Sequence, residues 1–291
     1  MSLFLDIFWG VLTLLAWGVA DFLVRVVAVR IGSVSTAFFV QAIGLVVPGA
    51  ALAVLMMSSG LGDVDWVTVV WLAPLVALLL GVAYAVYYTG LERGSVSVVS
   101  SVASAWLLVS VLVAALALSE SVSWQQGGMI ALVLAGILTI GVQPGEGSRN
   151  SSGIGYGLAA MVFLGFALAL WKPLTEAAGP FLAVLTARAL ASIVTLGLIR
   201  ARSMALIWPS TRFGVWVLVG AASLDAAGFV TYNIALDRAP VVVVAPLAAA
   251  HPLGTILLAM LFLRERAGRF QAIGIALTLI GVVGLSVVSE S

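Results

Sequence analysis

The sequence contains no cysteine, a single histidine and few charges, with Asp, Glu, Lys and Arg together making up 9% of its 291 residues. Without cysteine there are no disulfides, no thiolate metal sites and no cysteine nucleophile. Ordinary soluble domains are about one quarter charged, and a water-soluble fold of this length has a large exterior to cover with polar groups. The shortage of charge excludes such an exterior. A net charge of +1 gives no field that would recruit nucleic acid or acidic partners. HExxH, GxSxG and Walker signatures are missing as well, so neither hydrolytic nor ATP-driven chemistry is visible.

What is present is apolar. Hydrophobic residues make up 63% of the chain, glycine contributes 30 positions, and the mean hydropathy is +1.23. Runs of about 20 apolar residues, each enough to cross a hydrocarbon core as a helix, recur at residues 7–29, 34–57, 67–90, 95–118, 122–143, 153–172, 180–200, 213–236, 239–263 and 270–288. The pattern predicts an all-α polytopic membrane protein of about ten transmembrane helices. The N-terminus lacks the basic region and small-residue cleavage site of a signal peptide, so the first run reads as a retained helix. Frequent glycine suits helices that pack backbone to backbone in lipid.

The second half repeats the first. At an offset of 145 residues, Leu91-Glu92-Arg93 falls on Leu236-Asp237-Arg238, Tyr87 on Tyr232, Glu120 on Glu265 and Gln126 on Gln271. Between Tyr87 and Gly136, 20 of 50 positions agree without a gap. Earlier parts align at an offset of 147, which sets Gly10 on Gly157, Gly18 on Gly165, Arg25 on Lys172, Gly32 on Gly179 and Gln41 on Arg188. The polar stretch 144–152 reads as the linker between repeats of residues 1–145 and 150–291. A unit of five helices crosses the membrane an odd number of times, so the second copy enters from the opposite side. Such inverted repeats are a recurring plan of secondary transporters, whose substrates bind near the midplane between the halves.

Loop charge alternates as an odd repeat requires. Ten arginines, among them Arg25, Arg93, Arg200 and Arg212, follow the odd-numbered spans, whereas Lys172 and Arg238 lie on the other side. By the positive-inside rule this puts both termini outside the cytoplasm.

Ionisable residues within a span are functional candidates because lipid makes them costly. Arg188 and Asp225 lie deep in the seventh and eighth spans, either as a buried ion pair holding those helices together or as groups facing a cavity that bind a charged solute. Asp21 and Arg25 stand at i and i+4, for which a local salt bridge is the simpler account. His251 is a candidate proton carrier, or it satisfies a carbonyl freed by the adjacent Pro252. Tyr84, Tyr87 and Tyr88 share one helical face, with Tyr232 at the corresponding point of the second repeat. They suit either the wall of a binding cavity or an interfacial aromatic belt. Gly274, Gly281 and Gly284, and the serines of the fourth span, suit close helix packing. Pro74, Pro240, Pro246 and Pro252 should bend or interrupt their helices. Gly60-Leu61-Gly62-Asp63 mimics the GxGD motif of intramembrane aspartyl proteases, but it sits in a loop and the preceding span carries no aspartate for the required pair.

Two stretches, Tyr87-Tyr88-Thr89-Gly90-Leu91-Glu92-Arg93 through Leu118-Ser119-Glu120, and Tyr232-Asn233-Ile234-Ala235-Leu236 through Phe262-Leu263-Arg264-Glu265-Arg266, resemble the EamA-type family of the drug/metabolite transporter superfamily. The resemblance covers nearly the whole chain. Ser119 and Arg264 stand where the family's signature has glycine, and Ser121 where it has arginine. The resemblance implies two repeats, ten helices, no cofactor, and passage of amino acids, related metabolites or drugs, often outward. It also implies cytoplasmic termini, opposite to the loop charges. The combined expectation is a secondary transporter or facilitator of small metabolites in a bacterial-type plasma membrane, with Arg188, Asp225, Tyr84, Tyr87, Tyr232 and His251 lining its cavity. Its partners are a small solute and membrane lipid, with protons as the candidate coupling ion, in a monomer or homodimer. A multidrug exporter is the neighbouring alternative, and a lipid-handling or interaction protein without a solute path is the alternative of another class.

Overall fold

Glycine and proline punctuate an otherwise continuous series of helices in the computed structural model, which describes residues 2–60, 62–94, 96–140, 147–254, 258 and 268–288. The helices are α1 Ser2–Ile31, α2 Ser33–Ile43, α3 Val46–Ser58, α4 Trp66–Arg93, α5 Val96–Ser104, α6 Trp106–Ala117, α7 Trp124–Ile140, α8 Gly147–Ala178, α9 Pro180–Ala201, α10 Arg212–Arg238, α11 Val241–Ala249 and α12 Arg269–Val288. No strand occurs among the described residues. Among the described residues, seven stretches are long and apolar enough to cross a membrane, and three shorter apolar helices lie where the fifth, ninth and tenth spans were expected. The end of the ninth span, with Glu265, falls outside the described residues, as does Leu61.

Local chemistry sets the boundaries. Gly32 and Gly179, matched by the repeat, take φ of 82° and 73° at the turns into α2 and α9, a left-handed conformation that disfavours any Cβ. Pro48 has no N–H for the carbonyl of Gly44, and the second span breaks there into α2 and α3. Pro74 and Pro173 lie inside α4 and α8, which both run on through them. The stretch expected as a linker is helical from Gly147, because lengthening a formed helix adds one hydrogen bond per residue. Residues 141–146 are outside the described set.

Packing exchanges the halves. Helix α1 runs antiparallel along α10: the Thr13 and Thr231 hydroxyls meet at 2.8 Å, Trp17 Nε1 donates to the Asp225 carbonyl at 3.3 Å, and Arg30 covers the Phe213 ring at 5.6 Å. Helix α4 runs antiparallel along α8 in the same manner, from the Asp65 N–H on the Ala177 carbonyl at 2.9 Å to Arg93 on the Tyr156 hydroxyl at 2.8 Å. Each half's first long helix thus packs on the other half's third. The Arg25 guanidinium donates to the Leu91 carbonyl and the Lys172 ammonium to the Leu236 carbonyl, a pair of contacts that the repeat interchanges.

Helices α7 and α12 touch through their backbones. A Cβ on Gly136 would lie 2.8 Å from the Gly274 carbonyl oxygen, and one on Gly281 would lie 2.8 Å from the Val133 amide. Residue numbers rise along one helix as they fall along the other, so these repeat-related helices are antiparallel. Small residues at such a crossing allow the close approach on which helix association in lipid depends.

Candidate functional site

Two helices break at matching points. The fourth span is interrupted at Ala105, between α5 and α6, and the ninth at Ala250 and His251, after α11. Ala105 falls on Ala250 at the offset of 145, and the following residues, Trp106 and His251, fall on each other. A glycine from the partner half lies against each break. A Cβ on Gly18 of α1 would come within 2.8 Å of the His251 carbonyl oxygen, and one on Gly165 of α8 within 2.9 Å of the Trp106 carbonyl oxygen. Interrupted helices at corresponding points of two repeats mark the binding region in transporters built this way.

The chemistry of the second break follows from Pro252, which has no N–H to offer the carbonyl of Ala248. The His251 backbone N–H takes that carbonyl at 3.1 Å, and the ring nitrogen Nδ1 also lies 3.1 Å from it. Nε2 faces the other way, 3.3 Å from Asp21 Oδ2 and 3.2 Å from the Ser104 hydroxyl.

Between the breaks lies a cavity of about 40 Å³, walled by Trp17, Asp21, Tyr84, Tyr87, Tyr88, Trp106, Leu164, Leu168, Asp225, Phe229 and His251. Repeat-related pairs account for much of this wall: Trp17 with Leu164, Asp21 with Leu168, Tyr84 with Phe229, and Trp106 with His251. The cavity therefore straddles the relation between the halves. Its volume holds a water or two and no metabolite. Larger hollows of about 430 and 620 Å³, along α3 and at the start of α7, have no ionisable group in their walls, and one of about 100 Å³ beside the turn into α9 has Asp63.

Two polar networks meet the cavity. In one, Arg188 Nη1 pairs with Asp225 Oδ2 at 2.7 Å, and the Tyr84 hydroxyl donates to Asp225 Oδ1 at 2.6 Å. Arg188 is fully buried. It also donates to the Val40 carbonyl at 2.7 Å and stands 5.5 Å over the Phe229 ring. In the other, Asp21 Oδ2 accepts the Tyr87 hydroxyl at 2.8 Å and faces His251. Trp17 joins them, its ring 4.9 Å from Phe229, 5.5 Å from Tyr232 and 5.9 Å from His251.

Four of the six expected lining residues, Tyr84, Tyr87, Asp225 and His251, come together in the wall. Arg188 stands behind Asp225 as its counter-ion, outside the wall, so the two form a buried ion pair of which Asp225 alone faces the cavity. Tyr232 also lies outside the wall, donating to the Leu168 carbonyl at 3.3 Å. The tyrosines of α4 are all buried, which removes the interfacial-belt account. His251 meets the carbonyl that Pro252 frees and reaches the cavity besides. Asp21 turns to Tyr87 and His251, and Arg25 reaches the carbonyls of Leu91 and Glu92, so the local i, i+4 account of that pair gives way to contacts across helices. The sequence reading missed Asp21, Trp17 and Trp106 as wall residues. The repeat offset was a signal for Trp106, since it sets that residue on the singled-out His251, whereas Asp21 and Trp17 fall on Leu168 and Leu164 and had no such signal.

A fold comparison with solved structures finds a crystal structure with a TM-score of 0.77 over 98% of this chain and 97% of its own, at 18% identity. At that identity the likeness shows the fold alone. No curated protein matches the sequence. The model of the EamA-like transporter family matches residues 5–142 and again 151–287. With two family repeats across nearly its whole length, and seven helices of membrane-spanning length and apolarity, the chain is a multi-pass integral membrane protein that belongs to the EamA-like transporter family.

Proposed function

We propose that the protein is a secondary transporter of small amphipathic metabolites, amino acids or close relatives, which it moves outward across a bacterial-type plasma membrane by alternating access. Ten crossings, as two inverted sets of five, rock about the cavity between the halves. The observation that carries this reading is the matched pair of helix breaks, at Ala105 and at Ala250, on the two sides of one aromatic and acidic cavity. Aromatic walls supply apolar contact for a solute body, and Asp21 and Asp225 supply polar groups that fix its orientation. At about 40 Å³ the cavity is too small for a metabolite, so a solute is taken up only when the halves move apart, as alternating access requires.

Efflux from reconstituted liposomes tests the reading. Vesicles are loaded in turn with L-tryptophan, L-threonine, L-leucine and tetraphenylphosphonium, and loss is compared with that from protein-free vesicles. At least one amino acid should leave faster through the protein. Equal loss for every solute overturns the proposal.

A further inference from the structure

We propose that Asp21 and His251 form a proton-binding site that ties the two halves together at the cavity, and that loading and release of this proton accompany its closing and opening. The proposal rests on the transport reading above and adds the coupling ion to it.

The argument begins with hydrogen positions. The carbonyl oxygen of Ala248 can only accept, so His251 Nδ1, 3.1 Å away, carries a hydrogen. In a neutral ring Nε2 is then the bare nitrogen. Yet Nε2 lies 3.3 Å from Asp21 Oδ2, which already accepts the Tyr87 hydroxyl. Two lone-pair atoms at that separation in a buried site repel unless a hydrogen lies between them. The geometry therefore calls for one proton more than a neutral imidazole and a carboxylate with no proton between them. Held by the ring it makes an imidazolium and carboxylate pair, and held by Asp21 it makes a carboxylic acid donating to Nε2. The pair shares this proton as one unit with zero net charge.

Release is chemically simple. The bond from Nε2 to hydrogen breaks, the electron pair stays on the ring, and the proton passes to water admitted to the cavity. The Ser104 hydroxyl, 3.2 Å from Nε2, can then donate to the bared nitrogen. Asp21 keeps the Tyr87 hydrogen bond and a full negative charge. The contact between α1 and the end of α11 changes from attraction to repulsion.

The surroundings suit a proton exchanged at this point. From α4 the pair is faced by the phenols of Tyr84, Tyr87 and Tyr88. From α10 it is faced by Asp225, whose charge Arg188 of α9 balances at 2.7 Å, and by Tyr232 behind Trp17. Helix α1 adds Arg25, one turn beyond Asp21 and bonded to the Leu91 and Glu92 carbonyls. Helices α6 and α8 contribute Trp106, Leu164 and Leu168, which carry no exchangeable charge. The repeat counterparts of the pair are Leu168 and Trp106, so the device belongs to one side of the two-fold arrangement only.

Because the chain has one histidine, tag-free protein labelled with ¹⁵N-histidine in lipid nanodiscs gives ring signals from His251 alone. Between pH 5 and 9 the spectrum should pass from a doubly protonated ring to the Nδ1–H tautomer. Asp21→Asn should weaken proton binding by about tenfold or more, the fold-change that one pKa unit represents, and Asp21→Glu should restore it. An Nε2–H tautomer at high pH, or a midpoint unmoved by Asp21→Asn, overturns the site. In pyranine-loaded vesicles, the amino acid of that efflux panel that leaves fastest should move together with protons. Its movement without protons overturns the coupling. No movement of any solute in the panel counts against the transport reading, while the histidine spectrum still decides the site.

Discussion

The two halves of the molecule share a backbone plan and differ in chemistry at the positions that matter. Gly18 and Gly165, Gly32 and Gly179, and the breaks at Ala105 and Ala250 occupy equivalent places and do equivalent work. Around the cavity the match is broken at the charged positions. Asp225 corresponds to Leu80, Arg188 to Gln41, Asp21 to Leu168 and His251 to Trp106. Duplication preserved the backbone geometry of the two breaks and of the glycines packed against them. The departures supply the polar groups, so function is to be sought where the repeat fails.

Making the second half resemble the first should give the largest effect. Arg188→Gln alone leaves Asp225 buried without its counter-ion, which costs about 3–5 kcal/mol and should appear as a large fall in melting temperature, followed by intrinsic tryptophan fluorescence in detergent. Adding Asp225→Leu removes the stranded charge. The double variant should regain most of the lost stability, since replacing a whole buried pair by apolar groups is often neutral or better. It should still fail to transport. A double variant as unstable as Arg188→Gln would mean that the pair does more for the fold than balance its own charge.

The glycines probe what the halves share. A Cβ on Gly18 or on Gly165 meets a backbone carbonyl below 3.0 Å, at His251 and Trp106 respectively, and backbone at a helix break has little room to yield. Each alanine variant should cost about 1–3 kcal/mol, the usual price of overpacking. Gly165→Ala should be the worse of the two, because its Cβ runs into the Val109 Cβ, closer than the Gly254 Cα that a Cβ on Gly18 meets at 2.9 Å. Parallel losses of stability and of flux support a common gating role, and a loss confined to one variant breaks the equivalence.

Tyr87 and Tyr232 are the same residue at matched positions with different partners. The Tyr87 hydroxyl bonds the Asp21 carboxylate at 2.8 Å, and the Tyr232 hydroxyl bonds a backbone carbonyl at 3.3 Å. Hydrogen bonds to charged groups contribute about 1.5–3 kcal/mol and neutral ones about 1 kcal/mol. Tyr87→Phe should therefore lower flux and shift its pH dependence. Tyr232→Phe should lower the melting temperature slightly and leave the pH profile alone. Flux measured across pH for both variants separates the two roles.

Much of this arrangement was legible in the sequence because it depends on spacing. Apolar runs located the helices, the offsets of 145 and 147 paired Gly32 with Gly179 and Gly18 with Gly165, and the i, i+3, i+4 spacing put Tyr84, Tyr87 and Tyr88 on one face. Asp21 was misjudged because spacing along one helix favours Arg25, whereas its partners come from α4 and from the chain after α11. The break at Ala105 has no proline or glycine beside it in the sequence. It arises where α8 crosses at Gly165, a tertiary contact that local propensity cannot reveal. The polar 147–152 stretch looked like a linker on composition, yet continuing α8 satisfies its backbone at small cost.

The smallest expected effect lies outside the cavity, where the caps of two matched helices differ. Asp65 begins α4 by accepting the Val67 and Thr68 amides at 3.1 and 3.2 Å and the Thr68 hydroxyl at 2.6 Å. Thr211 begins α10 by accepting the Gly214 amide at 3.1 Å. The Thr68 hydroxyl, followed by its amide, holds the Asp65 carboxyl below the ordinary carboxylate range. The folded protein thus binds this proton less tightly than the unfolded chain, so the cap stabilises fully above the ordinary carboxylate pKa and fades as pH falls through the lowered value. The threonine cap has no such proton. The difference in melting temperature between wild type and Asp65→Asn should therefore shrink as the pH is lowered from 6 towards 3, while that between wild type and Thr211→Val should stay constant. A Thr211 difference that shrinks in step would trace the acid response to another group and leave the two caps alike.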